Sequence, residues 1–514
     1  MRKIYFFLVL LSFTVSCSVR HNPGASSNDD LKLEAIFVQV NDVYEIAPLA
    51  GGKYGGMARV ATIKKQYRAM NPNTFLVMSG DFVSPSVYNS LQFEGKRIRG
   101  RQMIEAMNVS GMDIVVFGNH EFDITESELQ DRINESRFDW IASNTFHKQG
   151  KSITAFAKIK DSVSSPFPET SIMTLRDEDG TKVKLGFIGI TLPFNKADYV
   201  SYTDPLATAE RLYNQLKDDC DAVIAITHQL VEDDIQLAKR LPKLAVILGG
   251  HEHDMRIEKV GNVYITKAHA NAKSAYIIKL IINKNDKTVT VIPELKELNE
   301  TIPADTATDR VVQKWIDIAD KNYTSLGFNA RRVVLSSGEA LDGRESEIRS
   351  RPTNLSRLVG EALAAASPRS DVVIFNTGSI RVDDILTPPI TEYDILRTMP
   401  FGGGIREVDM KGNLLLRTLE AGRKNVGIGG FLLYHPVIYN SSTNTWTINN
   451  QPIEATTVYK VAMPEFLLSG REANLDFLNK SNPDMLKVYD AETKITDPRS
   501  DVRLALIRYL EKKK

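Results

Sequence analysis

Apolar runs of strand length recur along the first half of the chain, and each ends in a carboxylate, an amide or an imidazole. Runs 35–40 and 74–78 lead into Asn41-Asp42-Val43-Tyr44-Glu45 and Ser79-Gly80-Asp81. Run 114–117 leads into Gly118-Asn119-His120-Glu121-Phe122-Asp123. Runs 222–226 and 244–248 lead into Thr227-His228 and Gly249-Gly250-His251-Glu252-His253-Asp254. Runs this short and this uniformly apolar read as buried strands. Helical stretches stand between them, one over Met57–Met70 closed by Asn71-Pro72-Asn73 and one around 103–108. Strands alternating with helices fold as an α/β sheet, in which loops at the carboxyl ends of the strands gather into one crevice. The pattern predicts a single site assembled from distant loops.

The residues at these endings define its chemistry. Singly, each has a plain reading: an Asp after a strand commonly caps the next helix, and a His-x-His in a glycine-rich loop can be mere surface. Together, Asp42, Asp81, Asn119, His228, His251 and His253 offer mixed oxygen and nitrogen donors with no thiolate. That set suits zinc, manganese, iron or cobalt and does not describe a structural zinc site. Two ions are best held by a shared carboxylate, and Asp81 is placed centrally enough to serve both.

Length and charge narrow the class. A chain of 514 residues exceeds what one core usually organises, so two domains are expected. With 64 basic and 64 acidic residues the net charge is zero, which excludes a protein that holds nucleic acid by bulk charge. Only two cysteines occur, so no disulfide framework is implied. Residues 1–17 have the form of an export signal: Arg2 and Lys3, an apolar run too short to span a membrane, then Ser16-Cys17. The small residue before Cys17 resembles a bacterial lipoprotein signal, which implies lipidation of Cys17 and a membrane anchor on the periplasmic or cell-surface side. Residues 18–30, with Pro23, Gly24, Ser26 and Ser27, read as a flexible tether.

The first domain is expected over 31–300, closing with a β-prone run at 288–292. Residues 301–326 form a linker, in which Val311, Val312, Trp315, Ile316 and Ile318 recur at helical spacing. The second domain, 327–514, has strands at 371–375 and 458–462. The first of these ends in Asn376-Thr377-Gly378-Ser379-Ile380-Arg381, where a guanidinium suits bidentate contact with phosphate.

The order Asn-Asp, Gly-Asp, Gly-Asn-His-Glu-Phe-Asp, Thr-His and Gly-His-x-His resembles the calcineurin-like metallophosphoesterases, in particular the bacterial 5′-nucleotidase and UDP-sugar hydrolase branch. The resemblance implies a four-layer α/β/β/α sandwich, a connecting helix and a second, α+β substrate-binding domain. It implies that Asp42 and His253 hold one divalent ion, that Asn119, His228 and His251 hold another, and that Asp81 bridges them. His120 would stabilise the transition state and Asp123 would orient it, while a metal-bound water or hydroxide attacks phosphorus in line. Asn376, Gly378 and Arg381 would bind substrate, and Phe401 and Phe431 would clamp a nucleobase. Arg349 stands where relatives have a further phosphate-binding Arg, with Arg351 a close competitor.

Two positions depart from the family pattern. Asp42-Val43-Tyr44 replaces Asp-x-His, which makes Tyr44 a possible ligand. Ser469-Gly470-Arg471-Glu472-Ala473-Asn474 replaces the usual Gly-Gly-Asp-Gly-Tyr, so the Asp that helps hold the nucleoside is missing. The expected activity is release of phosphate from nucleoside 5′-monophosphates or related nucleotides. The alternatives are a UDP-sugar hydrolase, a cyclic-nucleotide phosphodiesterase, or a non-catalytic nucleotide-binding lipoprotein with a degenerate metal site.

Overall fold

The computed structural model describes residues 30–194 and 197–513. The expected signal, Cys17 and nearly all of the tether lie outside the described residues.

Two six-stranded sheets form the first domain. One runs in the order Thr288–Glu297, Ser274–Asn283, Lys32–Val40, Thr74–Ser79, Ile114–Val116, Asp139–Ile141, and its last four strands are parallel. The other runs Thr170–Arg176, Lys182–Thr191, Ala222–His228, Val246–Gly250, Val263–Lys267, Arg256–Val260, with four parallel strands in its centre. Alternation along Lys32–Val40 explains the layering. Leu33, Ala35 and Phe37 face the other sheet, where Phe37 meets Phe187 edge-on at 6.0 Å between ring centroids. Ile36, Val38 and Val40 face the opposite side, in the core shared with Met57–Met70 and Arg101–Ser110. Helices Pro205–Leu216 and Val231–Arg240 cover the outer face of the second sheet. The expected α/β/β/α arrangement is present.

The carboxyl ends of the parallel strands of both sheets meet at one edge. His228 Nδ1 donates to the Ser79 carbonyl at 2.8 Å, and Ser79 Oγ donates to the Leu248 carbonyl at 2.9 Å. These bonds lock the sheets together where the polar endings emerge.

Helix Thr306–Ser325 follows, capped by Asp305, whose carboxylate accepts from the backbone N–H of Thr308. It lies on the first domain: Trp315 is fully buried and its Nε1 donates to Glu105 Oε2 at 2.9 Å. The second domain is built on a five-stranded sheet in the order Leu432–His435, Val372–Asn376, Val458–Pro464, Ile405–Lys411, Met485–Val488. Gly412–Lys424 packs on one face, and Asn354–Ala366 with Val502–Glu511 on the other. Only one pairing in this sheet is parallel, so the domain is α+β as expected. Among the described residues no helix is long and apolar enough to cross a membrane.

Candidate metal centre and substrate cleft

Asp42 and Asp81 are buried, and each directs one carboxylate oxygen into the protein frame and the other into a shared centre. Asp42 Oδ2 accepts from Asn41 Nδ2 at 2.7 Å and from the His251 backbone N–H at 2.9 Å. Asp81 Oδ1 accepts from the His120 backbone N–H at 2.8 Å. The inward oxygens stand near His228 Nε2, which is 3.1 Å from Asp81 Oδ2 and 3.9 Å from Asp42 Oδ1. His228 Nδ1–H is committed to Ser79, so in the neutral ring Nε2 carries its lone pair toward the carboxylates. Asp42, Asp81 and His228 together form a group able to hold a metal ion.

Several further features fit an ion there. The Oδ1 of Asn119 is buried without a hydrogen-bond partner, although Asn119 stands at the head of the 3-10 helix His120–Asp123 and could have capped it. His228 Nε2 is likewise outside hydrogen-bond geometry despite its closeness to Asp81. A buried amide oxygen and a buried imidazole nitrogen left without hydrogen-bond partners are donors of the kind a divalent cation takes. Three of these loops also hold strained backbone: Asp42, Asp81 and His251 have φ of 52°, 56° and 93°. Residues other than glycine are rarely found there, and such strain persists where surrounding structure imposes it for function.

Glycine makes the close approach possible. A Cβ on Gly118 would lie 2.1 Å from Asp81 Oδ1, and one on Gly80 would lie 2.6 Å from His228 Nδ1. Glu121 ties the same loops from beneath, accepting backbone N–H groups of Asp81, Phe82, Val83 and Gly118 at 2.6–3.0 Å. These bonds make it scaffold.

Tyr44 enters this centre. Its hydroxyl lies 3.3 Å from Asp42 Oδ1, 3.3 Å from Asp81 Oδ2 and 3.0 Å from His253 Nε2. An ion bound at about 2.0–2.2 Å spaces adjacent donors roughly 3 Å apart, so Tyr44, Asp42, Asp81 and His253 have the spacing of neighbouring ligands.

The charges agree. Burial opposes protonation of His228, but the carboxylates of Asp81 and Asp42 outweigh it and raise the ring to about 9. For His253 burial again opposes, and Asp383, Asp42 and Asp81 raise it to about 10. His251 goes the other way, to about 3, through burial and the neighbouring His228 charge. Asp81 is held far below the usual carboxylate range, because the charges of His228 and His120 overcome the effect of burial. The buried carboxylates of Asp42 and Asp81 make this a centre that attracts positive charge.

His120 follows Asn119 in the same loop. Its Nδ1 is 2.7 Å from Asp123 Oδ2, which fixes the ring and leaves Nε2 as the outward nitrogen. At Asp123 a cavity of about 970 Å³ opens between the domains, lined by Asp123, Arg99 and Ser84 on one side and by Asn376, Gly378, Arg381 and Phe401 on the other. Arg381 and Arg349 converge on Glu345, at 3.9 and 2.5 Å, and the buried Nε of each has no partner. Arg351 instead pairs with Glu347 on the surface, 65% exposed, so Arg349 is the one beside Arg381. Phe401 is 70% exposed in the cavity wall. Phe431, expected as the opposing ring, is packed in the core at 8% exposure and is not part of that wall. Phe466, 45% exposed, lines the cavity instead. Glu472, from the departing loop, accepts from Asn376 Nδ2 at 2.6 Å.

Comparison with known proteins decides the family. Residues 36–255 match the calcineurin-like phosphoesterase family, and residues 333–478 match the 5′-nucleotidase C-terminal domain. The chain belongs to the 5′-nucleotidase family. Relatives of that name include the 5′-nucleotidase of Bos taurus, 24% identical over 474 residues, an alignment that covers 81% of this chain and 78% of the bovine one. The trifunctional nucleotide phosphoesterase YfkN of Bacillus subtilis is 25% identical over 451 residues, which are 79% of this chain but only 29% of that much longer protein. Among solved structures, the 5′-nucleotidase precursor of Thermus thermophilus shares the fold with a TM-score of 0.67 at 19% identity, over 94% of this chain and 97% of the other. As a 5′-nucleotidase family chain, this protein is a metal-dependent phosphoesterase hydrolase.

Sequence reasoning did not find Asp383, whose carboxylate reaches His253, or Glu345 between the two arginines. Asp383 is 130 positions from His253, and Glu345, one helical turn before Arg349, reads as an ordinary i,i+4 pair until Arg381 joins it. Phe466 lay in plain view in Pro464-Glu465-Phe466, at the end of a strand, but carried no motif.

Proposed function

We propose that this chain releases phosphate from nucleoside 5′-monophosphates or closely related nucleotides, using two divalent ions. Asp42, Tyr44, Asp81 and His253 would hold one ion; Asp81, Asn119, His228 and His251 would hold the other. Zinc, manganese, cobalt and iron all suit the donor set, and the phenol oxygen of Tyr44 favours a harder ion at the first position. When bound, the ions supply Lewis acidity at the phosphoryl group and make water acidic enough to attack phosphorus in line.

The observation that carries the reading is a nucleotide-sized cavity that reaches Asp123, the partner of His120, and has Arg381 and the exposed ring of Phe401 on its opposite wall. The protein's own groups divide the work. Arg381 and Arg349 take phosphate oxygens, which displaces Glu345 from between them. His120 donates from Nε2 to charge developing on the phosphoryl oxygens, and Asp123 keeps Nδ1 protonated and the ring aimed. Phe401 stacks on the base, with Phe466 available as a second apolar surface. Asn376 and Gly378 shape the floor, and Glu472 takes the place of the absent family Asp.

Export and lipid anchoring belong to the same reading and rest on Arg2, Lys3, the apolar run and Ser16-Cys17. Labelling with a fatty-acid analogue that disappears in Cys17→Ala supports the anchor, and equal labelling contradicts it. For the activity, full-length protein loaded with manganese, cobalt or zinc is assayed for phosphate release across nucleoside monophosphates, UDP-sugars and cyclic nucleotides. Monophosphates are expected to turn over fastest. Release from none of them by any metal-loaded preparation overturns the reading.

A further inference from the structure

His253 differs from the other candidate ligands in how it is held. His228 is fixed by Ser79, Asp42 by Asn41 and the His251 backbone, and Asp81 by the His120 backbone, all within the first domain. The ring of His253 is fixed from the second domain: its Nδ1 lies 2.5 Å from Asp383 Oδ2. Its Nε2 faces Tyr44 and Asp42, at 3.0 and 3.6 Å.

Asp383 is not a loose surface group. Its Oδ1 accepts the Glu345 backbone N–H at 2.5 Å, and its backbone is left-handed, with φ of 38°. The second domain therefore presents this carboxylate in a fixed direction. It stands two positions after Arg381 in the same loop. The neighbouring Asp384 pairs with Lys273 of the first domain at 2.6 Å, and Tyr393 donates to Glu45 nearby. The loop that brings a phosphate-binding guanidinium to the cavity also brings a carboxylate to a metal-facing imidazole.

We propose that Asp383 is a positioning residue that couples docking of the second domain to metal retention at the Asp42, Tyr44 and His253 position. This rests on the ligand assignment proposed above. A carboxylate accepting Nδ1–H holds the neutral tautomer with the Nε2 lone pair directed at the metal position, and makes that nitrogen a stronger donor. If the domains separate, His253 loses its orienting partner while His228, Asp42 and Asp81 keep theirs. By linkage, an ion at this position favours the docked arrangement to the same extent that docking favours the ion.

The test titrates the metal-free full-length protein with manganese, by calorimetry, and compares wild type with Asp383→Ala and Asp383→Asn. Wild type is expected to show two sites. Asp383→Ala weakens one of them about 10–100-fold and leaves the other unchanged. Asp383→Asn, which keeps shape and an acceptor oxygen but not the charge, falls between the two. Small-angle scattering supplies the second readout: manganese makes wild type more compact and leaves Asp383→Ala unaltered. Equal affinities in wild type and both variants, or equal weakening of both sites, overturns the coupling. Wild type that binds no manganese overturns the ligand assignment itself, and the inference falls with it.

Discussion

Gly118→Ala is the smallest change that tests the geometry of the centre. The methyl group would sit 2.1 Å from Asp81 Oδ1, 2.6 Å from Asp81 N and 2.7 Å from Asp81 Cγ. Gly118 does not need a left-handed backbone, so the clash alone acts. Ordinary contact begins near 3.4 Å, so the carboxylate oxygen must retreat by about 1.3 Å. It cannot do so freely, because Asp81 N is held by Glu121 at 2.9 Å and Oδ1 by the His120 N–H at 2.8 Å. Misplacement of about 1 Å costs roughly 100-fold in rate, or about 2.7 kcal/mol in the barrier. The assay is phosphate release from a nucleoside monophosphate at saturating manganese, with Gly360→Ala as control. A methyl group at Gly360 meets nothing nearer than 3.7 Å and replaces a glycine within helix Asn354–Ala366. Gly360→Ala should keep full rate. A folded Gly118→Ala protein with wild-type turnover would refute the claim that Asp81 must stand where it does.

Other outcomes follow from the cleft and the linker. Phe401→Ala should raise KM for nucleotides about 5–100-fold, the worth of one stacked base, with little change for a phosphoester lacking a base; Phe431→Ala should instead lower the melting temperature. Arg349→Ala should raise KM while Arg351→Ala leaves it unchanged, which steady-state kinetics of the two variants checks. At Asp305 burial favours the neutral acid, but hydrogen bonds from Lys65 and Thr308 prevail and hold the carboxyl below 3.8. Its stabilising contribution is therefore complete above pH 3.8 and lost as pH falls through the lower folded value. Asp305→Asn should keep the helix cap but abolish that acid-dependent part, seen in melting curves taken on acidification.

Much of the site was legible because adjacent parallel strands must end together. The endings at Asp42, Asp81, Asn119, His228 and His251 needed only the apolar runs before them, and the helix expected over Met57–Met70 has those bounds. What left no mark in the sequence depended on tertiary contacts. Asp383 looks like an ordinary loop acid until the domains meet, and Glu345 like half of an i,i+4 surface pair until the loop with Arg381 folds against it. The short strands between Thr145–Gln149 and Val163–Pro166 are mostly exposed and lack a buried face to impose alternation. Phe431 and Phe466 each precede or follow a strand, and only packing shows which one faces the cavity. The left-handed backbone of Asp42, Asp81 and His251 also leaves no mark in composition, because Asp and His, though enriched there among non-glycine residues, adopt it at few of their positions.

On the proposed reading, buried ligands on both sheets hold the ions that make this chain a phosphohydrolase, with Asp81 common to both positions. Elemental analysis and phosphate release, measured on the same manganese-loaded preparations of wild type and Asp81→Asn, test it most directly. About two ions per wild-type chain with turnover are expected, and loss of turnover together with metal in Asp81→Asn. Equal metal content and equal turnover in the two proteins would contradict it.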